Sequence, residues 1–415
     1  MSRRETFAAW FEELAAIGLT ATGGWQRFAW TPEDRAARAW FERTAAAVGL
    51  DVESDRNGNL WAWWRDGQRN RRRRRGEGAV VTGSHLDTVA EGGAYDGALG
   101  VVSGLLAVDE LRTRHPDPPP QPIAVVAFAD EEGARFNLPC CGSRLLTGAL
   151  DPADVLDRTD LDGTTLRDAL SDAGVDPQQL GTDAQRLEGI GNFVELHVEQ
   201  GRGLADLDRP LAVATAMWPH GRWRLVLTGE ANHAGTTRLV DRRDPVLVAA
   251  DAALAARQRA RMAKMVATVG RMVVEPNSPN SVASRVTATL DARAADDATL
   301  DRFVEEWLSI VRHRATHHDV VVELECDART IGVEFDPALR ERIAARLAAL
   351  DIPVATLPTA AGHDAGILAP HVPSAMLFVR NPTGASHTPS ESASVDDCLT
   401  GVTALAAVLE DLAWA

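Results

Sequence analysis

The first half of the chain alternates segments of helical periodicity with short apolar runs. Two such runs, Val80–Thr82 and Ile123–Ala129, are typical of strands that are buried on both faces. The segment between them, Gly100–Arg112, has apolar positions at helical spacing, so the three segments together predict a βαβ unit. Because such a unit joins parallel strands, the pattern predicts a mostly parallel sheet covered by helices. A solvent-facing helical excursion is predicted for Asp151–Leu180, which is rich in Asp and interrupted by Gly and Pro.

The pattern changes after about Thr215. Trp223–Leu227 alternates apolar and polar residues, as a strand with one exposed face does. Asp244–Met262 has helical spacing, with Pro245 in the first turn. The elements that follow are predicted at residues 270–275 (strand), 284–293 (strand), 298–312 (helix) and 320–326 (strand). Their order, βαββαβ, is the ferredoxin-like arrangement.

Elements of the first kind return after residue 328, with a helix at Pro337–Leu350 and a strand at Ser374–Val379. The sequence therefore predicts an α/β fold of two domains. A discontinuous domain, residues 1–214 and 329–415, carries the mostly parallel sheet, and a ferredoxin-like βαββαβ domain, residues 215–328, is inserted into it. A length of 415 residues agrees with two domains, since single cores stop growing at roughly 250–300 residues.

The composition is that of an ordinary globular protein, with 45% hydrophobic and 25% charged residues. A net charge of −16 argues against nucleic acid or an anionic membrane as a partner. The chain has no run of about 18 apolar residues, which argues against a membrane-spanning helix. Near the N-terminus Glu12 and Glu13 interrupt the apolar pattern, where a signal peptide would need a continuous apolar stretch. We therefore expect a cytoplasmic protein.

Two compositional features have an ordinary interpretation. The four cysteines are too few and too irregularly spaced for a disulfide framework or a zinc knuckle, and we expect them to be reduced and buried. They are Cys140, Cys141, Cys326 and Cys398. The basic run Arg71–Arg75 could by itself be a nucleic-acid or lipid patch, but its position between two strand-like segments favours a solvated hairpin loop.

Residues that could bind metal or transfer protons follow the predicted strands. His85 follows the strand at Val80, and Asp87 could hydrogen-bond its imidazole and fix the tautomer. Alone, a His-x-Asp pair is more often a structural hydrogen bond. Asp96 stands in a Gly-flanked turn before a helix, where it could equally be a helix N-cap or a carboxylate that bridges two cations.

Three adjacent acids, Asp130, Glu131 and Glu132, come directly after the apolar run Ile123–Ala129. At a buried strand end they would repel one another strongly unless cations compensate them. This favours a site over a solvated turn, with one glutamate binding a metal while its neighbour accepts a proton from water.

A second group of polar side chains lies within a strand-like segment. Glu195, His197 and Glu199 share one face under strand alternation, and such a face makes a poor core and a good metal site. His387, in a loop near the C-terminus, carries little information by itself.

Taken together, these motifs resemble those of the dinuclear-zinc peptidase superfamily called M20. The strings that carry the resemblance are, in order, GSHLDT, DGALGV, DEEGARF, ELHVEQG, NHAGTT, GHDA and SHTP. No single string decides the matter, but the ordered set spans essentially the whole chain. Within the superfamily the chain is similar to the hydantoinase/carbamoylase branch, which includes N-carbamoyl-L-amino acid hydrolases and allantoate amidohydrolases.

The resemblance implies two divalent cations per chain, with zinc in first place and manganese, cobalt or nickel as alternatives. It makes Asp96 the bridging carboxylate, His85 and His197 ligands of one ion, Glu132 and His387 ligands of the other, and Glu131 the general base. Many peptidases of the superfamily have a carboxylate where this chain has His197. The Glu-x-His-x-Glu-Gln-Gly form points to the carbamoylase branch.

The resemblance also implies that the βαββαβ insertion is a lid that commonly forms a homodimer interface. His233, in the NHAGTT motif, matches the histidine that stabilises the developing oxyanion, usually across the dimer. Arg293 matches the arginine that binds the substrate carboxylate, for which the planar guanidinium is well suited.

Further residues match polar contacts to the substrate. These are Gln200 and either Asn277 or Asn280, a choice left open because Pro279 interrupts the usual run. Arg238 stands where relatives often have proline, and nothing in the sequence explains this change.

The expected function is therefore a metal-dependent amidohydrolase that cleaves the ureido C–N bond of N-carbamoyl-L-amino acids or of allantoate and releases ammonia and carbon dioxide. Its partner would be a small molecule with a free carboxylate. An aminoacylase or dipeptidase of the same superfamily is the alternative enzyme. A non-catalytic, metal-dependent binding protein is a third hypothesis, which the presence of Glu131 disfavours.

Overall fold

The structure is a computed structural model that describes residues 1–66 and 78–415. The interpretation of Arg71–Arg75 as a hairpin loop falls outside the described residues. The chain divides into two compact units, one of Met1–Thr215 with Glu334–Ala415 and one of Ala216–Val333. Within the described residues, no helix combines the length and the apolar character needed to cross a bilayer.

Twelve α-helices are present in the described part of the chain. They are α1 (Arg3–Ala15), α2 (Pro32–Val48), α3 (Ala98–Arg114), α4 (Cys141–Thr147), α5 (Leu166–Asp172), α6 (Ala184–Glu188), α7 (Gly203–Leu207), α8 (Pro245–Ala263), α9 (Asp297–His317), α10 (Pro337–Ala348), α11 (Asp364–Leu368) and α12 (Val395–Ala413). The start of α2 illustrates the local control of these boundaries. The Thr31 hydroxyl accepts a hydrogen bond from the Asp34 N–H, Pro32 fills the first turn, and Gly49 ends the helix at a φ of 82°.

The same residues contain fifteen strands. They are β1 (Asp51–Ser54), β2 (Leu60–Trp64), β3 (Ala79–His85), β4 (Ile123–Phe128), β5 (Ile190–Val198), β6 (Leu211–Met217), β7 (His220–Thr228), β8 (Asn232–His233), β9 (Val266–Glu275), β10 (Ser281–Val282), β11 (Arg285–Arg293), β12 (Val321–Thr330), β13 (Val333–Glu334), β14 (Val354–Thr359) and β15 (Ser374–Val379).

A nine-stranded sheet forms the first unit. Its order is β1-β2-β4-β3-β5-β15-β6-β13, with β14 paired to β6. The four central strands, β4, β3, β5 and β15, are parallel, while the flanking β2 and β6 pair antiparallel to them. β3 and β4 are buried along their whole length, as their unbroken apolar runs predicted. The α/β fold with a large, mostly parallel sheet is confirmed.

The core of this unit lies on the sheet and under the long helices. α3 contributes Leu99, Val102 and Leu106, and α12 contributes Leu405 and Leu409 to the same buried cluster. Since parallel strands point the same way, the carboxyl ends of β4, β3, β5 and β15 lie along one edge of this sheet. Side chains that follow those strands are therefore brought together by the topology.

The second unit has its own sheet and its own core. Its four-stranded sheet has the order β12-β7-β11-β9, with every neighbouring pair antiparallel. β7 places Trp223, Leu225 and Leu227 in a buried cluster with residues of α8 and α9. The Trp307 indole within this core donates to the Ala252 carbonyl oxygen at 2.9 Å.

Candidate metal centre

Five polar side chains come together after the central strands of the first unit. His85 is the last residue of β3, and His197 lies one residue before the end of β5. Glu132 follows β4, His387 lies in the loop after β15, and Asp96 precedes α3. Loops at the carboxyl ends of neighbouring parallel strands meet, which is why residues 300 positions apart can share one site.

The two carboxylate oxygens of Asp96 face different members of this group. One faces His85 and His197, and the other faces His387. Its Oδ1 lies 3.3 Å from His85 Nε2 and 3.2 Å from His197 Nε2. Its Oδ2 lies 3.4 Å from His387 Nε2, which is itself 3.5 Å from Glu132 Oε2. The donor atoms on each side of Asp96 lie within 4.8 Å of one another, close enough to hold a metal ion.

Backbone contacts orient both buried imidazoles. His85 Nδ1 donates to the Asp87 carbonyl oxygen at 3.0 Å, and His197 Nδ1 donates to the Val198 carbonyl oxygen at 2.8 Å. A carbonyl oxygen can only accept, so each Nδ1 carries a proton, and Nε2 is the ring atom that a neutral imidazole leaves for a metal ion. This is the usual arrangement of metal-binding histidines.

The Asp87 carboxylate differs from the expectation that it would pair with the imidazole. Its Oδ1 is 3.8 Å from His85 Nδ1, beyond hydrogen-bonding distance. Its two oxygens instead accept the backbone N–H groups of Glu131 and Glu132, at 3.2 and 3.0 Å. The tight turn after β3 places the Asp87 carbonyl oxygen, and not its carboxylate, against the imidazole. The carboxylate of Asp87 instead holds the backbone of the two glutamates in place.

A glycine allows the close approach of the Asp96 turn to His85. Gly97 has a φ of 66°, and a Cβ at this position would lie 2.4 Å from His85 Cε1. Any larger residue would thus be strained in its backbone and would collide with the imidazole.

Burial and mutual repulsion of the acids shift the pKa values of the cluster. Burial, together with the charge of Asp96, raises the pKa of Glu132 to about 7. Burial also raises the pKa of Glu131 well above its ordinary value. Although burial opposes ionisation of His85, the Glu131 and Asp96 carboxylates raise the pKa of this imidazole. The nitrogen and carboxylate donors fit divalent transition metals, whose charge would offset the repulsion among the acids.

Glu131 lies beside the cluster and is 7% exposed. Its Oε2 is 3.7 Å from His85 Nε2, and its Oε1 accepts a hydrogen bond from the Cys140 thiol at 3.3 Å. No pattern in the sequence predicts this thiol contact, because only loop packing brings Cys140 to Glu131. Cys140, Cys141 and Cys398 are free and buried as expected, whereas Cys326 is exposed. Cys326 lies on β12, an edge strand of the four-stranded sheet.

The two glutamates on either side of His197, Glu195 within β5 and Glu199 directly after it, are already hydrogen-bonded. Glu195, the neighbour that shares a face with His197, accepts from the Ser84 hydroxyl at 2.7 Å and from the Ala365 N–H at 3.0 Å. Glu199 accepts the N–H groups of Gly203 and Leu204 at the start of α7. Their carboxylates thus position loops and helices around the cluster.

His363 lies next to this group, with its ring centroid 4.6 Å from that of His197. Its distances to Glu195 and His197 would also allow a metal ion. However, Asp96 is shared by two of the three donor groups among the described residues, so only the groups around Asp96 could hold two neighbouring ions. They are therefore the better candidates.

Gln200, predicted to contact the substrate, contacts the cluster itself. Its Nε2 donates to Asp96 Oδ2 at 2.7 Å and lies 3.4 Å from His387 Nε2. The amide thus orients the same oxygen of Asp96 that faces His387.

The remaining predicted site residues belong to the second unit. His233 Nδ1 accepts the backbone N–H groups of Gly235 and Thr236, at 3.0 and 3.2 Å. A neutral His233 therefore carries its proton on Nε2, as an exposed donor. Arg293 Nε donates to Asp291 Oδ1 at 3.0 Å.

The two asparagines of this unit are both exposed. The Asn280 carbonyl oxygen accepts from the Ala234 N–H at 2.9 Å, which joins Asn280 to the turn that carries His233. Arg238 pairs with Asp241, but nothing in the structure explains an arginine at this position.

Comparison with known proteins gives one consistent family. The family model described as Peptidase family M20/M25/M40 matches residues 81–411. The chain is 32% identical to an allantoate amidohydrolase of Escherichia coli over 97% of this chain and 96% of that protein. It is 34% identical to an N-carbamoyl-L-amino acid amidohydrolase of Geobacillus stearothermophilus over 95% and 94%. The crystal structure of an amidase of the hydantoinase/carbamoylase family from Burkholderia multivorans matches with a TM-score of 0.87, 30% identity and coverage of 99% and 98%.

Proposed function

This chain belongs to the M20/M25/M40 peptidase family and is an amidohydrolase, and we propose that it hydrolyses the ureido C–N bond of N-carbamoyl-L-amino acids or of allantoate. The observation that carries the proposal is the two-sided environment of Asp96, with two histidines at one oxygen and His387 at the other. One relative is named for allantoate and another for N-carbamoyl-L-amino acids, and each aligns with nearly the whole chain.

In this proposal two divalent cations occupy the cluster. The ligands are His85, His197 and Asp96 for one ion, and Asp96, Glu132 and His387 for the other. When bound, such ions polarise the substrate carbonyl and lower the pKa of water. We propose zinc, with manganese, cobalt or nickel as alternatives, because the histidine and carboxylate donors accept all of them.

Glu131 is the proposed general base. It directly precedes the proposed ligand Glu132, and its backbone is held by Asp87. Its carboxylate accepts a proton from the attacking water and later returns it to the departing nitrogen. The thiol of Cys140 fixes one of its oxygens, which leaves the other for this proton transfer.

His233 is the proposed donor to the oxyanion that forms on the carbonyl. The support is its tautomer, because two backbone N–H groups occupy Nδ1 and leave an exposed N–H at Nε2. Among the asparagines, we favour Asn280 as the substrate contact, since its backbone is bonded to the same turn.

We further propose that the chain forms a homodimer through the second unit, with His233 acting in the site of the partner chain. β9 is an edge strand of the four-stranded sheet and exposes Val266, Met272 and Val273. α8 exposes Leu247 and Leu254 one heptad apart. An apolar edge strand of this length is usually covered.

Product analysis tests the proposed reaction. Metal-loaded protein should release ammonia from allantoate or from at least one member of a panel of N-carbamoyl-L-amino acids. An aminoacylase or dipeptidase would instead release an amino acid from N-acyl amino acids or dipeptides without free ammonia. Hydrolysis of only the latter substrates would replace the proposal with this alternative, and turnover of neither class would contradict both.

Replacing Arg293 with alanine should weaken capture of a substrate with a free carboxylate. We expect KM to rise by a factor that corresponds to about 2 kcal/mol, the lower end for a buried charge pair. The lower end applies because the side chain is 30% exposed and already paired with Asp291. Steady-state kinetics with Arg222→Ala as control, which also pairs with Asp291, would measure this. An unchanged KM and turnover would remove Arg293 from the site.

Mixing two inactive variants tests the shared site. His233→Ala and Glu131→Gln homodimers should each be nearly inactive. Subunit exchange should create heterodimers in which one site has both defects and the other has neither. Activity should then recover to about a quarter of wild type, since roughly half of the dimers hold one intact site of two. If heterodimers form without recovery, His233 acts within its own chain or is not catalytic.

A further inference from the structure

A buried glutamate outside the predicted site contacts the turn that carries Asp96. Glu391 is 6% exposed and lies four residues after His387. Its Oε1 accepts the backbone N–H of Tyr95 at 2.8 Å and that of Asp96 at 2.9 Å. Its other oxygen, Oε2, is buried and has no hydrogen-bond partner among the described residues. One oxygen therefore makes both contacts.

The backbone at Gly93 packs closely against this carboxylate. A Cβ at Gly93 would lie 2.2 Å from Glu391 Oε1 and 2.3 Å from Cδ. The glycine thus lets the turn close over the carboxylate. Nearly 300 residues separate the two partners, so the contact fixes one loop against another rather than shaping either alone.

The loop that carries His387 needs such an anchor. His387 has a φ of 58°, in the left-handed region that non-glycine residues rarely adopt. At the start of the loop, Asn381 Oδ1 accepts the N–H groups of Thr383 and Gly384, both at 3.1 Å. Glu391 holds the other end, because its own N–H donates to the Thr388 carbonyl oxygen at 3.1 Å. The histidine thus lies between two anchors.

We propose that Glu391 is a positioning residue that joins the Asp96 turn to the His387 loop and so sets the geometry of the metal site they share. The inference rests on the proposed function, in which Asp96 and His387 bind the same ion. Glu391 acts by accepting backbone hydrogen bonds. It does not touch the ion, and its charge is not required for this role.

Metal titration of the metal-free protein tests this role without measuring turnover. Zinc binding by wild type, Glu391→Ala and Glu391→Gln would be followed by competition with a chromophoric chelator and by isothermal titration calorimetry. Glu391→Ala should weaken at least one of two ions by about 10–100-fold, the range for residues that orient metal ligands. Glu391→Gln should bind zinc more tightly than Glu391→Ala, because its carbonyl oxygen can accept both N–H groups even though its NH2 group takes the buried, unpartnered place of Oε2.

A neighbouring variant provides the control. Ser390 is exposed in the same loop, and its hydroxyl contacts only the Thr388 hydroxyl among the hydrogen bonds described. Ser390→Ala should bind zinc as wild type does. If Glu391→Ala does not fold, as judged by circular dichroism, Glu391→Asp takes its place, since the shorter side chain withdraws the carboxylate from the turn.

Three results would overturn the inference. Wild-type affinity in a folded Glu391→Ala protein would show that the anchor is unnecessary. Equal weakening in the glutamine and alanine variants would show that acceptance of the two N–H groups does not set the geometry of the metal site. A wild-type chain that binds no cation would overturn the proposed function as well, and this outcome is distinguished from the first two by the wild-type titration.

Discussion

Removing divalent cations from the protein should abolish its hydrolytic activity, and adding zinc, manganese or cobalt should restore it. The physical reason lies in the donor cluster, where the buried His85 and His197 place their Nε2 atoms 3.3 and 3.2 Å from one oxygen of Asp96. Without cations, the buried acids repel one another and nothing polarises the carbonyl of the substrate.

The measurement combines metal analysis with two assays. Chelator-treated protein, verified as metal-free by mass spectrometry, should show no turnover above background and a lower melting temperature, because ligands that bind only the folded state stabilise it. Magnesium serves as a control, since this ion prefers all-oxygen sites and should restore little. Full activity in verified metal-free protein would contradict the proposed mechanism.

The fold was largely predictable because its elements have strong and different periodicities. The pattern predicts the strand at Ser374–Val379 with the bounds that the structure has, since five consecutive apolar residues after Ser374, between loops, leave little alternative. Boundaries were less accurate where exposed residues continue a strand. β9 begins at Val266 and β12 ends at Thr330, both beyond the predicted segments, because alternation weakens on an edge strand.

The cluster around Asp96 was foreseen through motifs that follow strands. Parallel strands place such motifs together, so chain order alone indicated that His85, Glu132 and His197 would meet. The resemblance to a family added the loop residue His387, which has no informative pattern of its own.

The supporting contacts were not predictable. Glu391 and Cys140 reach the site because loops pack against one another. The hydrophobic periodicity of the sequence does not indicate which loops are in contact. The partner of His85 shows the same limit at short range. The sequence places Asp87 two residues away, but only the turn geometry decides that its carbonyl oxygen, and not its carboxylate, accepts from the imidazole.

Glu131→Gln should retain both metal ions while losing about 10²–10⁴-fold in turnover, the range for removal of a general base. Glutamine has the shape of glutamate and can still accept from the Cys140 thiol, but it cannot accept the proton of the attacking water. KM should change little, because the substitution removes a function that operates in the transition state.

The matched control is the adjacent substitution Glu132→Gln. Glu132 Oε2 faces His387 Nε2 at 3.5 Å and belongs to one of the two donor groups, whereas Glu131 belongs to neither. Glu132→Gln should therefore lose affinity for one ion, and its activity should partly return at high zinc concentration, while added zinc should not rescue Glu131→Gln. Metal analysis could give the reverse pattern, with Glu131→Gln losing an ion and Glu132→Gln retaining both. The roles of base and ligand would then have to be exchanged, since two neighbouring carboxylates at one strand end can divide these roles in only two ways.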